Sequence, residues 1–433
     1  MKPPSFLHAM PWPRQLATLA AFMVPGLALW LPSGYSYGAG LLFVGALLTI
    51  RRWPFQQHDR LTYLLAILML AMAVLWIALS DPREHAGQWD RPVKFLLGAG
   101  CLLFVTINPP RPQALFWGLV VGCFGAGAIA AWQVYVKGAW RASGHTNAIQ
   151  YGNLALLLAV MLAMLALGLR RQLTRPVKLL ALVAVLAGLN ASVLSLSRGG
   201  WLALLVATPV GLVLLFQIRR QALWKAVVGL VAAVAIVCAL NFDLVTQRWG
   251  SMESEVQTYD QRGDADTSVG QRLEHWRLAW DMGRERPLLG WGVAGYLAEK
   301  AARVAAGKYH TSILEYIYVH NEMLDLFVKV GLAGMAVVLC FYALPIYMFW
   351  PSRARLAAWD AQPRLRSQVL ALRLCGLCIP VLYIGFGLTQ VFFAHNSGIM
   401  FYLFSNMLVW AALLGLERQL PGSAAPPANA APH

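Results

Sequence analysis

Charge is scarce in this sequence. Asp, Glu, Lys and Arg make up only 12% of its 433 residues, against about 25% in an ordinary soluble domain. Hydrophobic residues reach 59% and are spread along the chain, so no soluble core accounts for them. A water-soluble globular protein is excluded, and a polytopic membrane protein fits. Cysteine is sparse too. The six (Cys101, Cys123, Cys238, Cys340, Cys375, Cys378) all lie in apolar stretches. Cys375 and Cys378 form a CxxC without a second ligand pair, which favours small buried apolar residues over zinc or redox chemistry. The first apolar stretch lacks a clean small-residue cleavage site and is expected to be retained. No repeat of fixed period is present. Acidic residues are fewer than basic ones, giving a formal charge of +16. The placement of the basic residues attributes this excess to membrane topology rather than to nucleic acid.

The apolar stretches predict an all-α fold with about twelve transmembrane helices. They fall near residues 15–31, 35–50, 61–80, 93–107, 114–136, 148–169, 177–196, 199–217, 222–241, 319–349, 369–392 and 397–417. One set of connections, with both termini, holds Lys2, Arg14, Arg51, Arg52, Arg60, Arg111, Arg170, Arg171, Arg175, Lys178, Arg219, Arg220, Lys225, Arg353, Arg355, Arg364, Arg366, Arg373 and Arg418. The short connections of the opposite set hold only Arg83, Arg91, Lys94, Lys137, Arg141 and Arg198. The excess of Lys and Arg places the first set, and both termini, in the cytoplasm. The chain then divides into nine spans (1–241), a long outward loop (242–318), three further spans (319–418) and a Pro/Ala-rich tail (419–433) expected to be disordered.

The outward face carries the informative residues. Arg198 lies in the tight turn Ser195-Leu196-Ser197-Arg198-Gly199-Gly200-Trp201 between two spans. At that depth an arginine costs about 2.5 kcal/mol or more unless paired or solvated. Gly199 and Gly200 would let backbone come close to a ligand at a helix N-terminus, a setting suited to phosphate; a snorkelling interfacial arginine is the plainer reading. In the long loop, Val269, Leu273, Trp276 and Trp280 recur at helical spacing. They predict a helix lying along the membrane surface and ending by Gly283, with Arg272 and Trp276 on one side. The following Pro287–Tyr296 segment, with Gly290 and Gly292, lacks the Lys-Ser/Thr ending of a P-loop. It is expected to pack a turn against the bilayer.

The long loop ends at His320-Asn321, and Gly331 and Gly334 follow 11 and 14 residues after His320. In a continuous helix His320, Gly331 and Gly334 would share one face and admit a neighbouring helix beneath the histidine. Asp325, at i−4, is the expected partner of Lys329. Histidine titrates near neutrality, so His320 is a candidate base, although an interfacial histidine is more common. Asn321 and Glu322 are candidates for orienting it. Arg141, His145, Lys308, Tyr309, His310 and His395 are further outward residues able to meet a lipid substrate, with loop solvation as the alternative for each. Of the outward carboxylates only Asp264-Ala265-Asp266 approaches a metal-binding pattern, and it reads as a solvated loop tip.

These features resemble the O-antigen ligase family, within a superfamily that includes O-antigen polymerases and O-linked oligosaccharyltransferases. The matches are a dozen helices with one large loop before the third-last, the His320-Asn321-X9-Gly331-X2-Gly334 segment, Arg272 with Trp276 in the loop, and Arg198 in Ser-Arg-Gly-Gly. They cover roughly residues 180 to 415. The resemblance implies a fold like that of C-type membrane glycosyltransferases. It implies transfer of a glycan from undecaprenyl pyrophosphate to a sugar hydroxyl of lipid A–core, with inversion. Arg198 and Arg272 would hold the pyrophosphate and His320 would be the general base. No nucleotide, cofactor or metal is expected, and no nucleic-acid partner. A polymerase would use the same donor with a lipid-linked acceptor. A protein-glycosylating ligase would usually carry a larger soluble C-terminal part. A transporter or flippase is the reading from another class, but no pair of broken helices or inverted repeats is evident.

Overall fold

A computed structural model describes residues 10–53, 58–80, 89–217, 220–262 and 265–419. The tail after Gln419, and Lys2, Arg83, Arg219 and Asp264, lie outside the described residues. Helices appear at the position of every apolar stretch: α1 (Trp12–Leu27), α2 (Tyr35–Thr49), α3 (Arg60–Ala78), α4 (Asp90–Ile107), α5 (Pro112–Ala131), α6 (Ala148–Gly168), α7 (Arg175–Leu194), α8 (Arg198–Gln217) and α9 (Arg220–Leu240). Helices α10 (Phe242–Arg262), α11 (Ser268–Glu285) and α12 (Gly292–Ala305) build the long polar loop. The chain returns to apolar helix with α13 (Glu322–Phe349), then a short α14 (Arg353–Ala357), α15 (Pro363–Gly387) and α16 (Asn396–Glu417). The described residues form no strand.

Seven of these helices are long and apolar enough to cross a membrane, and the protein is a multi-pass membrane protein. Helices α15 and α16 form its centre, being 83% and 94% buried over their most apolar windows, against 44% for α3 at the periphery. Helix α15 packs on α6, α8 and α16, while α1 packs on α5 and α2. The outer helices leave Leu48, Ile67, Val74, Leu182 and Leu205 exposed, an apolar surface that water would not tolerate over such an extent.

Alternating connections gather at opposite ends. At one end Arg91 Nε donates to Ala394 O (3.0 Å), Asn396 Nδ2 to the Tyr35 hydroxyl (3.1 Å) and Ala142 N to Leu194 O (2.8 Å). At the other, Arg14 Nε donates to Pro109 O (2.9 Å) and Arg373 pairs with Glu417. The heads of α4, α6, α8, α13 and α16 therefore share one end, and the α10–α12 loop sits there.

Two expectations about that end are corrected. First, His320 does not lie in α13. It precedes the helix with φ +59°, and Gly331 interrupts the helix with φ +64° and ψ −163°. The helical arithmetic that put His320, Gly331 and Gly334 on one face fails, because the backbone is non-helical at two of the three. Second, no helix fills the space at Gly331. A Cβ there would lie 2.3 Å from Leu288 backbone, and one at Gly290 would lie 2.4 Å from Lys329 backbone. The Pro287–Gly292 loop is spliced into the break. Leu332 N donates to Pro287 O (2.8 Å), Ala333 N to Leu288 O (3.2 Å) and Trp291 N to Val328 O (2.9 Å). The loop thus satisfies the groups that a broken helix orphans. Its Pro287, Leu288 and Leu289 side chains are exposed. Gly334 is approached by the Val330 and Leu75 side chains.

Candidate functional site

Helix α11 starts where the spacing predicts, because the Thr267 hydroxyl accepts from Gly270 N (3.0 Å). It ends at Glu285, ahead of Pro287. Its buried face is Glu274, His275, Leu278, Ala279 and Met282. The Val269–Leu273–Trp276–Trp280 stripe flanks that face, with Trp280 exposed against Phe327. Arg272 and Trp276 are both partly exposed.

The segment from Tyr316 to Asn321 carries His320 across the end of the bundle. It is held from below. Asp325 accepts from Val319 N (3.0 Å) and from Lys329 Nζ (2.7 Å), while Lys329 also donates to Ile317 O (3.1 Å). The Asp325–Lys329 partnership is as expected, and both side chains are buried. Lys300 Nζ donates to Ile313 O (3.1 Å) and Tyr316 O (2.6 Å). Burial, with the Lys329 charge adding to it, pushes Lys300 down to about 8. Asn321 caps α13, accepting from Leu324 N (3.1 Å), and donates to Leu388 O (3.2 Å).

Above this clamp His320 meets residues from three elements. Its Nδ1 lies 2.8 Å from Gln390 Oε1, and Gln390 Nε2 lies 3.2 Å from His395 Nε2. The Tyr316 ring is 5.1 Å away, edge-on, and the His275 ring 6.1 Å away. Because an amide oxygen only accepts, His320 in this arrangement carries its proton on Nδ1 and presents Nε2 as a lone pair. Burial lowers the His320 pKa, with the nearby Arg272 guanidinium pushing the same way and the Gln390 contact opposing. Both effects favour the neutral ring. A left-handed φ at a non-glycine residue costs about 1–3 kcal/mol, which the bonds to Val319 and Asn321 on either side hold in place.

The residues bonded to His320 were not singled out by spacing. Gln390 was read as the interior of a span over 369–392. Instead α15 ends at Gly387, and residues 388–395 turn back across the site before α16. Buried Glu322 holds that turn, accepting from Phe393 N (3.1 Å) and from the Tyr342 hydroxyl (3.0 Å). Neither Asn321 nor Glu322 bonds His320; both fix the backbone around it. Arg91 was counted only as a loop charge, yet it binds Ala394 O and the Tyr318 hydroxyl (2.9 Å) over the Trp76 ring. His395 is pushed down to about 4 by burial and then by Arg91. His275 falls to about 3 by burial, with Lys300 adding to it. Its Nε2 lies 3.0 Å from Ile313 O, while Nδ1 is buried without a partner. A polar residue inside the loop helix's apolar pattern was the only sequence signal for it.

Arg198 stands at the head of α8, after Leu196 turns the chain with φ +54°. Gly199 and Gly200 pack the first turn against neighbours rather than leaving it open: a Cβ at Gly199 would lie 2.4 Å from Thr389 Oγ1, and one at Gly200 3.1 Å from Leu156. Thr389 precedes Gln390, so the Arg198 turn abuts the same segment. Arg198 Nη2 reaches Glu255 Oε1 (3.3 Å), and Glu255 Oε2 accepts from Val269 N (3.1 Å) in the first turn of α11. One carboxylate thus sits between the arginine and the positive end of the helix that carries Arg272.

The remaining candidates lie further out. Arg141 stacks on Trp140 (5.2 Å), and Arg141, His145 and Lys308 are exposed. Tyr309 donates to Asp281 (2.7 Å), and His310 N donates to Glu274 (3.1 Å), so these two residues tie the loop together. Trp276 Nε1 is buried without a partner. Among the described residues no three His, Cys, Asp or Glu side chains are grouped to hold a metal ion.

The chain is 25% identical over 387 residues to an uncharacterized protein of Haemophilus influenzae, covering 87% of this chain and 93% of that one. A model of the O-antigen ligase family matches residues 183–339, which include Arg198, Arg272, His320, Gly331 and Gly334. That stretch supports an activity of the ligase or polymerase type on lipid-linked glycan. Residues 183–339 of this multi-pass membrane protein are thus similar to the O-antigen ligase family.

Proposed function

We propose that the protein is an O-antigen ligase that moves a glycan from undecaprenyl pyrophosphate to a sugar hydroxyl of lipid A–core on the outward face of the inner membrane. The observation that carries this reading is His320, bonded through Nδ1 to Gln390 with Nε2 unbonded among the described residues, and within the influence of the Arg272 charge. The acceptor hydroxyl oxygen attacks the anomeric carbon in line, its proton passes to His320 Nε2, and the bond from that carbon to the pyrophosphate oxygen breaks. The configuration inverts. The departing pyrophosphate takes the electron pair, and Arg272 and Arg198 meet its charge. The second assignment is supported by Glu255, whose carboxylate sits between Arg198 and the head of α11 where the pyrophosphate would bind. Arg141, His145, Trp276, Lys308, Tyr309, His310, Asn321 and His395 line or flank approaches to this site for the two lipids. The donor is already activated, so the reaction needs no nucleotide or other cofactor, and no step is assigned to a metal.

The test is reconstitution of the purified protein with an undecaprenyl-pyrophosphate glycan and lipid A–core, with EDTA and without nucleotide. Glycan on lipid A–core is the expected product. Longer glycans left on the polyprenyl carrier would make the protein a polymerase built on the same site. Transfer that stops with EDTA would overturn metal independence.

A further inference from the structure

Gln390 touches His320 and His395 at once, and the chemistry of an amide gives that contact a direction. We propose that Gln390 is a positioning residue for the transfer reaction, fixing His320 in the tautomer whose Nε2 takes the acceptor proton. The inference rests on the reading of His320 as the base. The amide oxygen only accepts and the amide nitrogen only donates. With Oε1 on His320 Nδ1 and Nε2 on His395 Nε2, His320 holds its proton on Nδ1 and His395 holds its proton on Nδ1 as well. Rotating the amide by half a turn would reverse both rings. His320 would then carry its proton on Nε2 and would have no lone pair there to take the acceptor's proton.

The surroundings keep the amide in place. Asn321 binds Leu388 O, Glu322 binds Phe393 N and Arg91 binds Ala394 O, so the backbone is tied on both sides of Gln390. A carboxylate at this position would also accept the Nδ1 proton. It would add a negative charge beside a site meant for pyrophosphate and would favour the protonated imidazole. A neutral amide sets the tautomer without either effect. The charged and titratable groups facing His320 are Arg272 and His275 from α11, Asp325 from α13 and His395 from the 388–395 turn, with Tyr316 alongside. Arg91 on α4 acts on His395.

The test uses the full-length protein in detergent with Gln390→Met, Gln390→Glu and His395→Phe. Two readouts are needed: the pH profile of kcat, and the tautomer of His320 by 15N NMR of histidine-labelled protein, with the resonance assigned by its loss in His320→Gln. Wild type should show Nδ1–H at His320 whether or not any glycan is transferred, which separates this inference from the reading of function. Gln390→Met should lower kcat roughly 100-fold with donor KM within about 2-fold, and mix the tautomers. Gln390→Glu should keep kcat within about 5-fold but move the acid limb up by about one pH unit. His395→Phe should fall between them, since it frees the amide to rotate. A residue that merely packs would change thermal stability and leave the acid limb and the tautomer unmoved. An Nε2–H resonance at His320 in wild type, or full kcat in Gln390→Met, overturns the proposal.

Discussion

Two polar clusters meet at the residues just before α13, and they differ in kind. Below Val319, every charged atom has its partner: Asp325 binds Lys329 and Val319 N, and Lys329 and Lys300 are bound by main-chain carbonyls. Above it, His320 is fixed on one side only, His275 Nδ1 is buried without a partner, and cationic Arg272 lies close by. The lower cluster is saturated and holds a shape. The upper one leaves valences for another molecule. Adjacent residues therefore differ in their surroundings: Val319 belongs to the clamp, and His320 is the residue proposed for the chemistry.

Substitution should separate the two. The largest effect is expected from His320→Ala, which should cut transfer by about 10²–10⁴-fold while donor binding and thermal stability stay near wild type. Normal turnover in that variant would remove the base assignment. Asp325→Leu should do the reverse. Leaving Lys329 buried and unpaired costs about 3–5 kcal/mol, read as lost folded protein, and Asp325→Leu with Lys329→Met together should recover most of it. If the single variant folds normally but is inactive, the line between clamp and chemistry is drawn in the wrong place. Arg272→Lys should lower kcat/KM by about 10-fold or more, since a point charge cannot replace a guanidinium that grips two oxygens. Equal activity would make Arg272 structural.

The smallest effect is in pH. The His320 pKa is lowered, so the base stays neutral somewhat below the usual 6.5, and kcat should fall only as pH drops through that lowered value. His275 gives the stability counterpart. Its folded value of about 3 lies below its unfolded one, so its contribution is complete above about 6.5 and is lost as pH falls toward 3. A melting temperature flat from pH 7 to pH 4 would contradict this.

What could be read from the sequence follows the reach of each signal. The proposed site residues Arg198, Arg272 and His320 stand out in the sequence because each lies in a local pattern: a tight turn, a helical stripe, and the junction of a polar loop with an apolar helix. The helices themselves were legible from apolar length. Gln390, Arg91, Tyr316 and His275 were not, since each is a single polar residue brought to the site by packing between distant segments. The same holds for Gly331. In a one-dimensional pattern, a glycine that breaks a helix looks like one that lets helices touch. Only its partner, Pro287–Gly292, distinguishes the two.

That splice also decides which side of the outer loop is free to move. Pulling Pro287–Gly292 out of α13 strips partners from Leu332 N, Ala333 N and Val328 O, at about 1–3 kcal/mol each where water does not replace them. At the opposite margin α10 meets α8 through the partly exposed pair Arg198 and Glu255. The loop is spliced into α13 at Gly331, while at Glu255 it offers a carboxylate to Arg198. The pyrophosphate of the proposed donor would have to replace that carboxylate to reach Arg198.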